Sequence, residues 1–277
     1  LLGWRNLPRR PARTWITASV VAVAVAAFVA SQAVTQSVSL TVDQLYARYR
    51  SDGWIFFHRP ADPALARELE ATPSVVAAEP WARVAGAIGS VRTDIWGLPE
   101  DSRIYTPYLV AGHWLEPDRP VPAVLTRNLA ERAGIRVGSV RRLDIGERAV
   151  LVKVVGIVDD ESTYLGATTT GKVFLRFEDL QRLRGQDGRA SLFGLQLRDG
   201  TPAAVDHALA QLEQRYRAFR PLTLAFYQDQ QVARQVIAIL TLLLRSVVVI
   251  VALVGLFGIA NTLVLKTPVG MINRSPR

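Results

Sequence analysis

The chain is predicted to be an α+β protein held by two transmembrane helices, which flank an extracytoplasmic domain with βαβ porter-like lobes and an inserted β-rich subdomain. Three observations predict this. Two long uncharged runs lie near the ends, one from Trp15 to Val42 and one from Ser246 to Leu265. Between them, short strand-like and helix-like segments alternate. The composition of 277 residues, with 49 % hydrophobic content, a net charge of +9 and a mean hydropathy of +0.17, suits membrane segments plus one sizeable folded domain.

The N-terminal segment 1–14, LLGWRNLPRRPAR and one threonine, interleaves Leu1, Leu2, Trp4 and Leu7 with Arg5, Arg9, Arg10 and Arg13. This is the pattern of a cytoplasmic interfacial segment at anionic lipid headgroups, with Trp4 and Trp15 as boundary anchors. Residues 15–42 form the first transmembrane helix and its extension, apolar enough to span a bilayer. A cleaved signal peptide competes with this reading, because a basic start, an apolar run and small residues at Ala30 to Ala33 are all present. The run is long for that purpose. Ala18, Ala22, Ala26 and Ala30 recur every fourth residue, a small face that permits close helix approach.

The second span is SVVVIVALVGLFGIANTLVL, without a charge. At about 1.5 Å per residue, roughly twenty residues make about 30 Å of helix, the thickness of a bilayer core. Arg245 precedes it and Lys266 follows it, so these two are the predicted membrane boundaries. The basic residues outside both spans predict two cytoplasmic termini, including the tail 266–277, and an extracytoplasmic centre. Within 231–265 the residues before Arg245 continue the helix, with Val232, Val236, Ile239 and Leu243 at helical spacing. Their predicted partners are Val38, Val42 and Leu45 on the extension of the first helix, the two forming a stalk. Packing of these residues on the outer domain itself is the competing reading.

The outer domain, 43–230, has a strand–helix–strand unit at each end. GWIFFH at Gly53 to His58 is followed by Asp62 as N-cap with Pro63 at the first helical position, then by a strand from Val75 to Ala78. SLFGLQL at Ser191 to Leu197 is followed by a helix opened by Thr201 and Pro202, and then by LTLAF at Leu222 to Phe226. On that helix Val205, Leu209, Leu212, Tyr216 and Phe219 share one apolar face. The stretch 83–177 is strand-rich, with VAGAIGSV, PAVL, SVRRLDI, AVLVKVVGIV and KVFLRF, and has one short helix ending at Gly134.

Composition and motifs exclude several functions. There is no cysteine, hence no disulfide or thiolate chemistry. The arginines are spread along the chain, without the concentrated basic face of a nucleic-acid binder. GATTTGK at Gly166 to Lys172 fits seven positions of a phosphate-binding loop, but the eighth is Val173, which offers no hydroxyl to a metal, and the next residues are strand-like. Asp159, Asp160 and Glu161 read as a solvated loop. His58, His113 and His207 have no metal-ligand spacing, and no serine sits in a hydrolase elbow. No cofactor, metal or catalytic residue is predicted.

Four stretches in order, GWRNLPRRPARTWIT, YLVAGHWLEP with AVLTRNLAERAGIRVGS, VKVVGIVDD and GKVFLRFEDLQRL, resemble permease subunits of MacB/FtsX/LolC-type ABC transporters, the mechanotransmission class. The resemblance implies a non-catalytic subunit. Its partners would be a separate ABC-type ATPase, a second permease copy or homologue, and another envelope protein. Motion would pass through the stalk to the outer domain for export, lipoprotein release or envelope remodelling. Family permeases continue past the second helix, so this chain reads as truncated or split there. A two-pass sensor or assembly protein with a ligand- or partner-binding outer domain is the alternative function.

Overall fold

Ten strands form the sheet around which the outer domain is built, in the order β10 (Pro221–Ala225), β1 (Gly53–Ala61), β9 (Ala190–Leu197), β2 (Val75–Ile88), β3 (Val91–Leu98), β8 (Lys172–Arg176), β5 (Val121–Thr126), β7 (Arg148–Val158) and β4 (Leu109–Gly112), with β6 (Val140–Ile145) pairing β2 and β7 beside this path. The computed structural model describes residues 11–160, 171–185 and 188–264. These fall into two compact units, 11–41 with 233–264, and 42–232.

The larger unit begins with β1 (Gly53–Ala61), α2 (Leu65–Glu70) and β2 (Val75–Ile88), where α1 is the long helix that precedes them. It ends with β9 (Ala190–Leu197), α5 (Pro202–Arg215) and β10 (Pro221–Ala225). Each unit is a split βαβ, because β1 and β2 both pair antiparallel with β9, while β9 and β10 both pair antiparallel with β1. The two strand–helix–strand units therefore interleave in a single sheet. Pro202 opens α5 after Thr201, as expected, but α2 begins at Leu65 with Ala64 at its cap position, so Asp62, which accepts the Ala64 N–H at 2.8 Å, and Pro63 form the turn before the helix and not its cap and first position. Val205, Leu209 and Leu212 on α5 and Tyr216 just after it are buried, but Phe219 is exposed. The helix stops at Arg215 and a 3₁₀ turn over Arg217–Phe219 takes that ring off the helical face.

The middle of the unit carries β3 (Val91–Leu98), β4 (Leu109–Gly112), β5 (Val121–Thr126), α3 (Arg127–Ala133), β6 (Val140–Ile145), β7 (Arg148–Val158), β8 (Lys172–Arg176) and α4 (Phe177–Arg184). It is joined to the first lobe by a strand, not by a linker. β2 runs through position 83 without a break, pairing β9 over Val75 to Trp81 and β3 over Ala82 to Ile88. One apolar cluster accordingly extends from Ile55 and Phe193 to Val154 and Leu180. The helix α4, which the strand-like reading of KVFLRF did not anticipate, has Glu178 and Asp179 in its first turn, Arg182 and Arg184 in its last, and Gly185 as its left-handed stop.

The smaller unit consists of α1 (Pro11–Tyr46) up to Thr41 and α6 (Phe226–Val264) from Ala233. Among the described residues, one helix is long and apolar enough to cross a membrane, α6 over Phe226–Val254, and none of its apolar stretch is buried. The described apolar part of α1, Val25–Leu40, is shorter than the roughly 20 residues that a bilayer asks for. The expectation of two spanning helices thus meets one in the described residues. Thr35 and Thr241 bring the two helices together, their hydroxyl oxygens 3.4 Å apart, and each also donates to the carbonyl four residues earlier, Ser31 and Ile237. Ser31 is buried beside this contact.

Candidate functional site

Residues 47–51, ARYRS, carry the chain from α1 into the sheet. A short antiparallel bridge holds them: the Arg50 N–H donates to the Ile104 carbonyl at 2.7 Å, and the Thr106 N–H donates to the Arg48 carbonyl at 2.9 Å. This sets Tyr49 opposite Tyr105, with both rings buried and their centroids 5.2 Å apart. Neither phenol can reach water there, so each needs an internal partner.

The partner is Asp160. One carboxylate oxygen accepts the Tyr49 hydroxyl at 2.8 Å and the Tyr105 hydroxyl at 3.0 Å, and the other accepts Lys172 Nζ at 3.2 Å. Lys172 donates a second bond to the Tyr49 oxygen at 3.1 Å. Side-chain exposure is 4 % for Lys172 and 0 % for Asp160, so the ion pair is fully internal. Such a pair is tolerated only when the remaining donors and lone pairs are used, which the two phenols accomplish. Burial pushes the Lys172 ammonium below the ordinary lysine range, against the pull of Asp160 and of Asp94, its register partner on β3. Burial, with the Asp160 charge and hydrogen bond added, raises Tyr105 well above the ordinary phenol range and keeps it a donor. The Lys172 N–H is fixed by the Thr126 hydroxyl at 3.0 Å.

Around this core lies a more open ring of charge. Asp159 is 3.7 Å from Arg48 and 3.4 Å from Arg127, and the Arg48 guanidinium lies 5.4 Å from the Tyr108 ring centroid. Two successive residues after α1, Arg48 and Tyr49, thus meet two successive aspartates at the end of β7. The solvated loop expected at Asp159 and Asp160 is corrected here: Asp160 is 1 % exposed, because it neutralises a buried lysine. Glu161 and residues 166–170 of the phosphate-loop-like run lie outside the described residues. That run's Lys172 is committed to Asp160. One available signal was the placement of these charges, each abutting an apolar run, Val154–Val158 before Asp159 and Val173–Leu175 after Lys172.

The chain leaves the unit at Phe226, whose ring lies 6.1 Å from Tyr49 and whose N–H donates to the Asp52 carbonyl at 2.9 Å. Asp52 in turn accepts the Leu197 N–H at 2.7 Å, and its own N–H donates to the Leu195 carbonyl. Phe226 and Tyr49 belong to one aromatic cluster with Trp54, Trp81, Trp96 and Phe174. Both ends of the unit are therefore seated in the same apolar mass.

A cleft of about 320 Å³ between α2 and β2 is lined by Arg67, Glu70, Glu79, Asp101 and Arg103 among others. Its carboxylates are engaged in holding the loop before Tyr105: Glu79 accepts from Ser102, Arg103 N–H and Trp81, and Glu70 from Ala78 N–H and Arg103. Among the described residues no cluster of side chains is arranged to hold a metal ion.

Of the residues singled out by sequence, Trp4, Arg9, Arg10 and Lys266 lie outside the described residues. Arg13, Trp15, Val42 and Leu45 fall on α1, and their side chains are outside the described part. Val38, Val232, Val236, Ile239 and Leu243 are exposed, as is Arg245, midway along an unbroken α6. On α6 the contact at Thr241 lies on the face opposite Val232, Val236, Ile239 and Leu243, whereas on α1 Val38 stands one turn from Thr35.

A family model for the MacB-like periplasmic core domain matches residues 14–214. No curated protein matches the chain in sequence. Among solved structures, it is similar to the periplasmic region of MacB from Actinobacillus actinomycetemcomitans, with a TM-score of 0.45 and 11 % identity, covering 69 % of this chain and 95 % of that one. The extracellular domain of the noncanonic ABC-type transporter YknZ from Gram-positive bacteria gives a TM-score of 0.42 and 11 % identity over 62 % and 98 %. A domain of a putative permease protein from Porphyromonas gingivalis gives 0.39 and 16 % over 63 % and 88 %. With its family's domain matched across most of its length, the chain belongs to the MacB-like periplasmic core domain family, that of MacB/FtsX-type ABC transporter permeases.

Proposed function

We propose that the chain is a two-pass permease subunit that couples ATP hydrolysis by a separate ABC-type ATPase to motion of its outer domain. The observation that carries this reading is the seating of Tyr49 and Phe226 in one buried cluster. Displacement arriving along either connection meets the same rigid mass, which suits a domain moved from its ends. Charge supports the orientation. All 24 acidic residues lie within 42–232 together with 24 of the 33 basic ones, so that unit is neutral. Of the nine remaining basic residues, seven, namely Arg5, Arg9, Arg10, Arg13, Lys266, Arg274 and Arg277, lie in the two end segments, as cytoplasmic ends require, while Arg234 and Arg245 lie on α6 before the second span. In this reading Val38, Val232, Val236, Ile239 and Leu243 form the stalk surface and are covered by a second permease copy.

The natural absence of cysteine makes the test direct. Thr35→Cys with Thr241→Cys, in the chain produced with its neighbouring ATPase, should form a crosslink whose yield changes with ATP. Failure of an ATPase to co-purify, together with a yield indifferent to nucleotide, would overturn the proposal.

A further inference from the structure

We propose that the Tyr49 hydroxyl, gripped by the buried Asp160–Lys172 pair, is the point at which displacement of the segment after α1 is passed into the sheet; this rests on the permease reading above. Tyr49 donates to Asp160 at the end of β7 and accepts from Lys172 at the start of β8. Those two strands are not neighbours, because β5 lies between them. One phenolic oxygen therefore ties the incoming segment to two separate strands of the sheet.

The chemistry fits transmission better than cohesion. A buried ion pair contributes little net stability compared with apolar side chains of the same volume, since both charges must be desolvated. What it adds is direction: hydrogen bonds to a fixed carboxylate and ammonium resist sliding, whereas ring contacts allow it. Lys172 is itself fixed by Thr126 and faces Asp94, which pairs with Arg83 at 3.1 Å. The neighbouring Arg48–Asp159–Arg127 contacts add a second, more exposed hold on the same segment. Tyr105 supplies an internal comparison. Its hydroxyl binds the same carboxylate oxygen at nearly the same distance, yet it sits in a loop of the domain and not on the incoming segment.

Tyr49→Phe and Tyr105→Phe each remove one hydroxyl and keep a buried ring, so matched near-ultraviolet spectra serve as the check that both are folded. In the full chain with its ATPase, hydrogen exchange is followed at Arg50 and across β7 and β8, with and without ATP. The unsubstituted chain should show nucleotide-dependent exchange in both strands. Y49F should abolish that response and speed Arg50 exchange about tenfold, as expected for loss of one or two buried hydrogen bonds. Y105F should keep the response. Equal behaviour of the two variants, or a response that survives in Y49F, overturns the role of Tyr49. A lack of response in the unsubstituted chain is a different failure: it overturns the permease reading and the transmission role with it, whatever the variants do.

Discussion

The two connections of the outer domain are built from different forces. At Tyr49 the chain enters through a hydrogen-bonded ion network with 0 % exposure at its carboxylate, whereas at Phe226 it leaves through ring packing and a backbone bond to Asp52. A charged network fixes one geometry and fails abruptly when a member is lost, because the partner left behind is buried and unpaired. An apolar contact loses energy in proportion to the contact area removed and tolerates small shifts. The entering connection is thus rigid and specific, and the leaving one is adhesive.

The largest way to break this contrast is Lys172→Met. It leaves the Asp160 charge in the core without its ion-pair partner, and removal of one partner of a buried pair costs about 3–5 kcal/mol. Denaturant unfolding of the full chain, followed through the buried Trp54, Trp81 and Trp96 in the same cluster, should show that loss. Phe226→Ala should cost less, at the low end of the roughly 3–5 kcal/mol typical of a buried Phe→Ala change, since the ring leaves a cavity but no stranded charge. A Phe226 variant that destabilised more than the lysine variant would reverse the assignment of forces.

Asp160→Asn combined with Lys172→Met should have a smaller effect again, within about 1 kcal/mol of the unsubstituted chain, because both charges disappear together. The asparagine oxygen still accepts from Tyr49 and Tyr105. Combined with the two single variants, this closes a cycle whose coupling measures the pair itself. Stability close to that of the single lysine variant would mean that the Lys172 side chain acts by packing.

Much of this fold was legible because it depends on local signals. Thr201 and Pro202, and Gly134, marked helix ends through backbone chemistry that holds in any context, whereas Asp62 and Pro63 marked only the turn that precedes α2. The apolar face of α5 followed from its spacing, and failed only at Phe219, where the helix had already ended. What was not legible depends on long-range pairing. Nothing near position 83 announces that β2 continues from one lobe into the next, because its continuity is set by β9 on one stretch and β3 on another. The same holds for the joint. Asp160 and Lys172 lie at strand ends where a solvated loop is the ordinary expectation, and only the arrival of Tyr49, 111 residues away from Asp160 in sequence, makes them a site.

The smallest predicted effect concerns the leaving connection and its pH dependence. Burial raises the Asp52 carboxyl above the ordinary aspartate value of 3.8, with the Leu197 N–H opposing and Asp199 adding to the rise. The folded chain therefore holds this proton more tightly than the unfolded chain does. Between 3.8 and the raised folded value the native state binds more protons, so stability from this group falls as pH rises through that window. Asp52→Asn should remove the dependence, gaining on the unsubstituted chain as pH goes from acid to neutral, provided that its amide oxygen still accepts from Leu197. At the entering connection Tyr105 remains protonated far above this window. Unfolding midpoints of the two chains across that pH range decide the matter: parallel curves would mean that the Leu197 N–H already compensates the Asp52 carboxylate, and the two connections would then differ less in their electrostatics than their packing suggests.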